Sequence, residues 1–168
     1  MAMPTRKESF ELLWHHNVPQ NIIRHSIAVG RLAAEIGAKL KAKGKKIDLN
    51  LLDRACILHD IGKLAAIQSG REHGEIGYGI LLKHGYNEVA EVIRKHPLHC
   101  ILDSKNRPRT WEEKILYYCD KRVSEHKVVS LKERLADLKN RYPQYRESIK
   151  RAEPLVYQLE KEILGTNP

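Results

Sequence analysis

Five side chains that can bind a metal ion stand where apolar stretches of the sequence end or turn inward. His25 lies among the apolar positions of a long predicted helix, and His59 and Asp60 directly follow an apolar run. His96 closes an apolar stripe, and Asp120 follows a second apolar run. A carboxylate in such a place is costly to bury unless it is paired or bound to a metal. Singly, each residue also fits an ordinary role, as a core histidine bonded to a carbonyl or an aspartate near a helix end.

Together, these residue types suit transition-metal chemistry. Imidazole nitrogen and carboxylate oxygen bind Fe, Mn, Zn or Ni, and no thiolate is required. Two such ions close together neutralise a phosphate and generate hydroxide near neutral pH. Adjacent helical residues point about 100° apart, so His59 and Asp60 can share one site only near a helix end. Gly62 follows them, which supports such an end, and its missing side chain would leave room for a substrate.

Helices are the elements that must position these residues. Apolar residues recur at three- and four-residue intervals, Gly and Pro fall between segments, and no stretch alternates as a strand does. Thr110 with Glu113, and Ser130 with Glu133, predict two capping boxes. Pro154 should kink or divide the last helix. The sequence predicts an all-α chain of one domain, with helices over about residues 7–16, 19–43, 49–62, 73–84, 88–96, 111–125, 131–142 and 144–164.

Composition narrows the class of protein. The chain has 168 residues, of which 42% are hydrophobic and 30% charged, as expected for one folded domain and not for a disordered chain. No uncharged apolar run approaches the roughly 20 residues of a membrane helix, and three widely spaced cysteines are typical of reduced thiols. We therefore expect a cytoplasmic protein with no membrane partner. The net charge of +9 favours phosphorylated small molecules or nucleic acid as partners.

The string ILHDIGK, which contains His59 and Asp60, resembles the signature of the HD superfamily of metal-dependent phosphohydrolases. The order around the string is also similar, with His25 on an earlier helix and Asp120 on a later one. The resemblance covers about residues 20–125. It implies a single all-α HD-type helical bundle over residues 1–168, on which the helices of residues 130–164 pack.

Two further histidines extend the resemblance. His73 and His96 are similar to the extra histidines of the binuclear branch of the superfamily, whose order is H…HD…H…H…D. Bacterial symmetrical dinucleoside-tetraphosphate hydrolases share the helix that begins with HG and the later isolated histidine. This chain departs from them after His96, where Pro97, Leu98 and His99 stand in place of a threonine.

The resemblance implies two divalent transition metals. The hardness of the imidazole and carboxylate ligands favours Fe or Mn over Zn, Ni or Co. The implied ligands of the first ion are His25, His59, Asp60 and Asp120, and the second ion takes Asp60, His73 and His96. In this reading Asp60 bridges the ions, and a metal-bridging hydroxide cleaves a phosphoester or phosphoanhydride of a nucleotide-like substrate.

Three residues are candidates for binding that substrate. In the family, the lysine of an HDIGK-type string, here Lys63, approaches the phosphate and is counted with Asp60 as catalytic. A lysine at a helix C-terminus that complements the helix dipole is the alternative for Lys63. His99 is expected to approach the substrate or the second metal, and Arg122, near Asp120, is the third candidate.

Other functions are compatible with the same residues. They are a 5′-nucleotidase, a cyclic phosphodiesterase, an HD-fold oxygenase with a mixed-valent iron pair, and a non-catalytic module that binds a nucleotide or RNA. Every ligand of the pattern is present, which favours catalysis. We expect a phosphorylated small molecule, a nucleotide ahead of nucleic acid, as partner, and a chain that acts as a monomer or homodimer.

Overall fold

The computed structural model describes residues 2–165, and helices account for most of them. This confirms the all-α, single-domain prediction. The helices are α1 (Arg6–His15), α2 (Gln20–Ala42), α3 (Leu49–Leu58), α4 (Lys63–Ser69), α5 (His73–Lys83), α6 (Asn87–Arg94), α7 (Trp111–Asp120), α8 (Leu131–Arg141) and α9 (Arg146–Leu164), with 3-10 turns at Leu98–Leu102 and Pro143–Tyr145. None of the described helices is long and apolar enough to cross a membrane.

The long helix α2 is the centre of the bundle and packs against both α3 and α7. Val29 and Ala33, in the middle of its apolar stripe, are fully buried. Gly37 lets α3 come close, because a Cβ built there would lie 3.0 Å from the side chains of Leu49 and Leu52. Three helices are thus held in contact around one core, and each of them, or the turn that directly follows it, carries a residue of the site described below.

Local capping signals set where several helices begin. Both predicted capping boxes form: the Thr110 hydroxyl accepts from the Glu113 amide and the Ser130 hydroxyl from the Glu133 amide, and each glutamate carboxylate accepts in return from the amide of its N-cap residue. Asp48 likewise caps α3. An N-cap of this kind contributes about 1 kcal/mol to stability. The cap at Thr110 fixes the start of α7 and hence where its other end, at Asp120, emerges.

The chain after α3 differs from the prediction of one helix to residue 62. Helix α3 ends at Leu58, residues 59–62 form a turn, and the predicted loop that follows contains α4. In the turn, the amides of Ile61 and Lys63 bond to the carbonyls three residues earlier. The turn lies against α5, since a Cβ on Gly62 would lie 2.4 Å from the His73 carbonyl oxygen and 2.7 Å from the Gly77 nitrogen. The space at Gly62 is therefore filled by α5, and the expectation that it holds substrate is wrong.

Two further predictions are corrected at the C-terminal side. Helix α7 ends at Asp120 instead of residue 125, and the chain forms an antiparallel hairpin of β1 (Val123–Ser124) and β2 (Lys127–Val128). Glu125, in the hairpin turn, has a φ of 54°, a left-handed conformation that ends the helical pattern. Pro154 lies inside α9 without dividing it, and the apolar face of α9 is buried on both sides of the proline, so the division is wrong and the alternative of a kink stays a prediction.

Candidate metal centre

The first group of site residues comes from three elements that the core holds together. α2 supplies His25, the turn after α3 supplies His59 and Asp60, and α7 ends at Asp120. Asp120 Oδ1 lies 2.9 Å from His25 Nε2 and 3.6 Å from His59 Nε2. Asp60 Oδ2 lies 3.6 Å from His59 Nε2. Because α3 ends at Leu58, His59 and Asp60 lie in a turn, where two adjacent side chains can face the same site.

The second group lies on the other side of Asp60. His73 is the first residue of α5 and His96 follows α6, and their Nε2 atoms are 2.9 Å apart. Asp60 Oδ1 lies 3.6 Å from His73 Nε2 and 3.5 Å from His96 Nε2. Burial lowers the pKa of both imidazoles, so both rings are neutral near pH 7. The two oxygens of Asp60 thus face different groups of histidines.

The orientation of the rings leaves the inner nitrogens free to bind a cation. Each Nδ1 points to an oxygen outside the cluster: His25 to Glu125 O at 2.9 Å, His59 to Cys56 O at 2.8 Å, His96 to Ile93 O at 2.6 Å, and His73 towards Glu72 Oε1 at 3.3 Å. A carbonyl oxygen only accepts, so in the neutral ring Nδ1 carries the proton and Nε2 a lone pair. Metal-binding histidines are usually oriented in this way.

Two buried atoms of the cluster have no hydrogen-bond partner, His59 Nε2 and Asp60 Oδ1. Leaving a buried polar atom unsatisfied costs about 1–3 kcal/mol, and more for a charged group. Around them, imidazole nitrogens and carboxylate oxygens face each other. Burial acts to lower the pKa of His59, but Asp60 and Asp120 outweigh it and raise that pKa, so this place attracts positive charge, either a proton on His59 or a metal ion. Two triads have ligand atoms within 4.8 Å of one another: His25, His59 and Asp120, and His59, Asp60 and His96. The donor set fits divalent transition metals.

Both carboxyl groups are ionised in these surroundings. Burial by itself would raise the pKa of Asp60, but the neighbouring His59 and Lys63 outweigh it and hold that pKa well below the usual range. Burial acts against Asp120 in the same way, and the adjacent Lys121 ammonium contributes most to lowering its pKa well below the usual range. Both aspartates therefore offer negative oxygens to a cation at neutral pH.

The three predicted substrate residues have different surroundings. Lys63 starts α4 and does not end α3, so the helix-dipole alternative does not fit its position; its ammonium lies 3.3 Å from Asp60 Oδ2. Arg122 is directed away from the cluster, bonded to Val129 O and the Tyr118 hydroxyl and paired with Glu160. His99 is exposed, and its ring contact is with Cys100 Sγ at 3.9 Å. Lys63 alone of the three contacts a site carboxylate.

Sequence reasoning missed the groups that hold the ligands in place. Glu125 and Cys56 act through backbone carbonyls, for which no side-chain signal exists. Lys121 bonds to Asp120 and to the His96 carbonyl, and only its position next to Asp120 hinted at a role.

The fold and the site together define a helical protein with a buried histidine and aspartate centre suited to metal ions. A family model described as HD domain matches residues 22–124. An uncharacterized protein of Methanocaldococcus jannaschii is 30% identical over 143 residues, which cover 79% of this chain and 83% of that protein. The chain belongs to the HD domain family.

Two other similarities are narrower. Ribonuclease Y of Acetivibrio thermocellus is 41% identical over 78 residues, which are 46% of this chain and 14% of the enzyme, so this chain spans a small part of that protein. The crystal structure of a predicted HD superfamily hydrolase from an uncultured Thermotogales bacterium has a TM-score of 0.52 at 21% identity, covering 96% of this chain and 92% of the other. That likeness concerns the fold.

Proposed function

We propose that this protein is a metal-dependent phosphohydrolase that cleaves a phosphoester or phosphoanhydride of a nucleotide-like substrate. The observation that carries the proposal is the buried cluster in which His59 Nε2 and Asp60 Oδ1 lack partners while other ligand atoms surround them. Membership of the HD domain family supports the same reaction class.

Six residues hold two divalent ions in this proposal: His25, His59, Asp60, His73, His96 and Asp120. When bound, such ions supply Lewis acidity to the phosphoryl group and a nucleophile at neutral pH. Asp60 belongs to both sets because its two oxygens face different histidines. The backbone carbonyls that accept from Nδ1 keep the rings in the metal-binding orientation.

Lys63 binds the substrate phosphate in this proposal. Its side chain is 38% exposed while the Asp60 side chain beneath it is 4% exposed, so the ammonium lies at the boundary between the cluster and solvent. A cationic point charge there stabilises negative charge that develops on the phosphoryl oxygens. Because the Lys63 side chain is only partly buried, its ammonium can bind a phosphate from the solvent side. Asp60 would then still be paired with the bound ions.

An RNA phosphodiester is the second candidate substrate. The match to ribonuclease Y, a protein named for action on RNA, favours it. The net charge of +9 is compatible with a longer polyanion as well as with a nucleotide.

A substrate screen with a matched site variant tests the proposal. Protein stripped with a chelator is reloaded with Mn²⁺, Fe²⁺ or Zn²⁺ and incubated with a dinucleoside tetraphosphate, 5′-mononucleotides, 2′,3′-cyclic nucleotides and a short single-stranded RNA. Asp60→Asn, which keeps the shape of the side chain and removes its charge, serves as the inactive control. We expect metal-dependent release of a phosphate product by the wild type and loss of at least about 10²-fold in kcat/KM for the variant.

Two results would contradict the proposal. The first is no turnover of any of these substrates with any of the three metals. The second is equal turnover by the wild type and Asp60→Asn, which would assign the activity to a contaminant or to another part of the chain.

A further inference from the structure

Lys121 is a buried lysine beside the proposed metal-binding cluster. It directly follows α7, and within residues 2–165 it is the one lysine or arginine that is buried. Its ammonium donates to Asp120 Oδ2 at 2.7 Å and to the carbonyl oxygen of His96, and it lies 4.2 Å from the centre of the Tyr117 ring. Two acceptors and an aromatic face offset the cost of taking this charge out of water.

The two acceptors of Lys121 belong to different halves of the site. Asp120 serves the first group, where its other oxygen, Oδ1, faces His25 and His59. His96 serves the second group, where its Nε2 faces Asp60 Oδ1. The Lys121 ammonium therefore connects the end of α7, at Asp120, to the segment after α6, at His96.

The contacts of Lys121 also fix how each ligand is presented. With Oδ2 of Asp120 occupied by the ammonium, Oδ1 is left as the oxygen that faces the histidines. His96 is held at two points, through its ring Nδ1 by Ile93 O and through its own carbonyl by Lys121. Turning the Asp120 carboxylate would break its buried hydrogen bond to the ammonium, which costs about 1.5–3 kcal/mol, and a shift of the His96 backbone would break the second bond from Lys121.

We propose that Lys121 is a positioning residue that holds Asp120 and His96 in register, so that the two groups of ligands form one binuclear site. This rests on the proposed function of the cluster as a metal centre. It assigns to Lys121 no contact with substrate. Removing its ammonium is expected to weaken metal binding by about 10- to 100-fold, the range for groups that orient metal ligands.

The test compares Lys121→Met with a matched control on the same two elements. Lys95 precedes His96 and pairs with Glu113 of α7, so Lys95→Met also breaks a lysine contact between α6 and α7 but touches no ligand side chain. Both variants are expected to lower the melting temperature. Only Lys121→Met is expected to raise the Kd for Mn²⁺, measured by titration calorimetry on chelator-stripped protein, and to alter the electron paramagnetic resonance spectrum of the Mn²⁺-loaded protein.

The outcomes separate this proposal from the proposed function. Wild-type Mn²⁺ affinity and an unchanged spectrum in Lys121→Met would overturn the positioning role, as would an equal loss of affinity in Lys95→Met. Should Lys121→Met fail to fold, Lys121→Gln removes the charge and shortens the side chain but keeps a polar group, and unchanged Mn²⁺ affinity in Lys121→Gln would overturn the role. Mn²⁺ binding without hydrolysis of any substrate would refute the proposed function. The role of Lys121 would then still be decided by comparing the Kd for Mn²⁺ between the wild type and the two variants.

Discussion

Gly62→Ala probes the close contact that places α5, and with it His73, against the turn that carries His59 and Asp60. The backbone of Gly62 has a φ of −82° and a ψ of −3°, which alanine adopts readily, so the effect of the change is steric. The added Cβ would lie 2.4 Å from the His73 carbonyl oxygen and 2.7 Å from the Gly77 nitrogen. Both are backbone atoms, so α5 must retreat by about 0.6 Å or more to reach a tolerable 3.0 Å.

Overpacking of this kind destabilises by about 1–3 kcal/mol. For a chain of this size, each kcal/mol lowers the melting temperature by roughly 2–4 °C. We therefore expect Gly62→Ala to melt about 2–12 °C below the wild type in a calorimetric scan of metal-free protein. Because the clash is with the first residue of α5, the variant should also bind Mn²⁺ more weakly.

Gly79→Ala is the matched control on the same helix. A Cβ there meets no atom within 4 Å, and alanine favours a helix interior over glycine by about 0.5–1 kcal/mol. This variant should melt at or slightly above the wild-type temperature and keep its Mn²⁺ affinity. A Gly62→Ala protein that melted at or above the wild-type temperature would refute the reasoning, because α5 would then not be fixed by its contact with the turn.

Three further changes have distinct expected outcomes. Thr110→Ala removes the cap of α7 and should lower the free energy of unfolding by about 1 kcal/mol in urea titration, whereas Thr110→Ser should retain most of it. Lys63→Ala should leave metal content unchanged by elemental analysis and lower kcat/KM by about 10²-fold, and intact activity on every substrate would exclude the phosphate role. His73→Ala and His96→Ala should each lose one ion per chain and most of the turnover while keeping the helical circular dichroism spectrum; full turnover in both would leave a one-metal site.

Helix starts could be predicted because their signals are local. Thr110 with Glu113, and Ser130 with Glu133, carry both halves of a capping box within four residues, and the structure contains both boxes. The all-α class followed from spacing that repeats along the whole chain. Both features depend only on residues close together in the sequence, so they can be predicted without knowledge of the fold.

Helix ends near the site could not be predicted in the same way. The apolar pattern of α3 continues past Leu58, and the turn that follows depends on the approach of α5 to Gly62, a contact between residues distant in sequence. Past Asp120 the sequence also remains helix-like, and the hairpin with Glu125 in its turn replaces the expected helix. In both places tertiary packing outweighs local propensity.

The candidate ligands were predictable as residue types, and their grouping came from a family resemblance. The structure brings all six close together, although they come from five separate parts of the chain. The roles of Arg122 and Lys121 were not predictable. Both are basic residues beside Asp120, yet one turns outward to Glu160 and the other inward to His96, and only packing distinguishes them.

The most direct test of the proposed two-metal site is an anomalous difference map from crystals of the chelator-stripped protein soaked in Mn²⁺. Two peaks are expected, the first bounded by His25, His59 and Asp120, and the second on the side of Asp60 that faces His73 and His96. The same soak of Asp60→Asn should show reduced occupancy at both positions. A map with no peak in the cluster, or with manganese bound only elsewhere on the surface, would contradict the assignment of these six residues as a two-metal site.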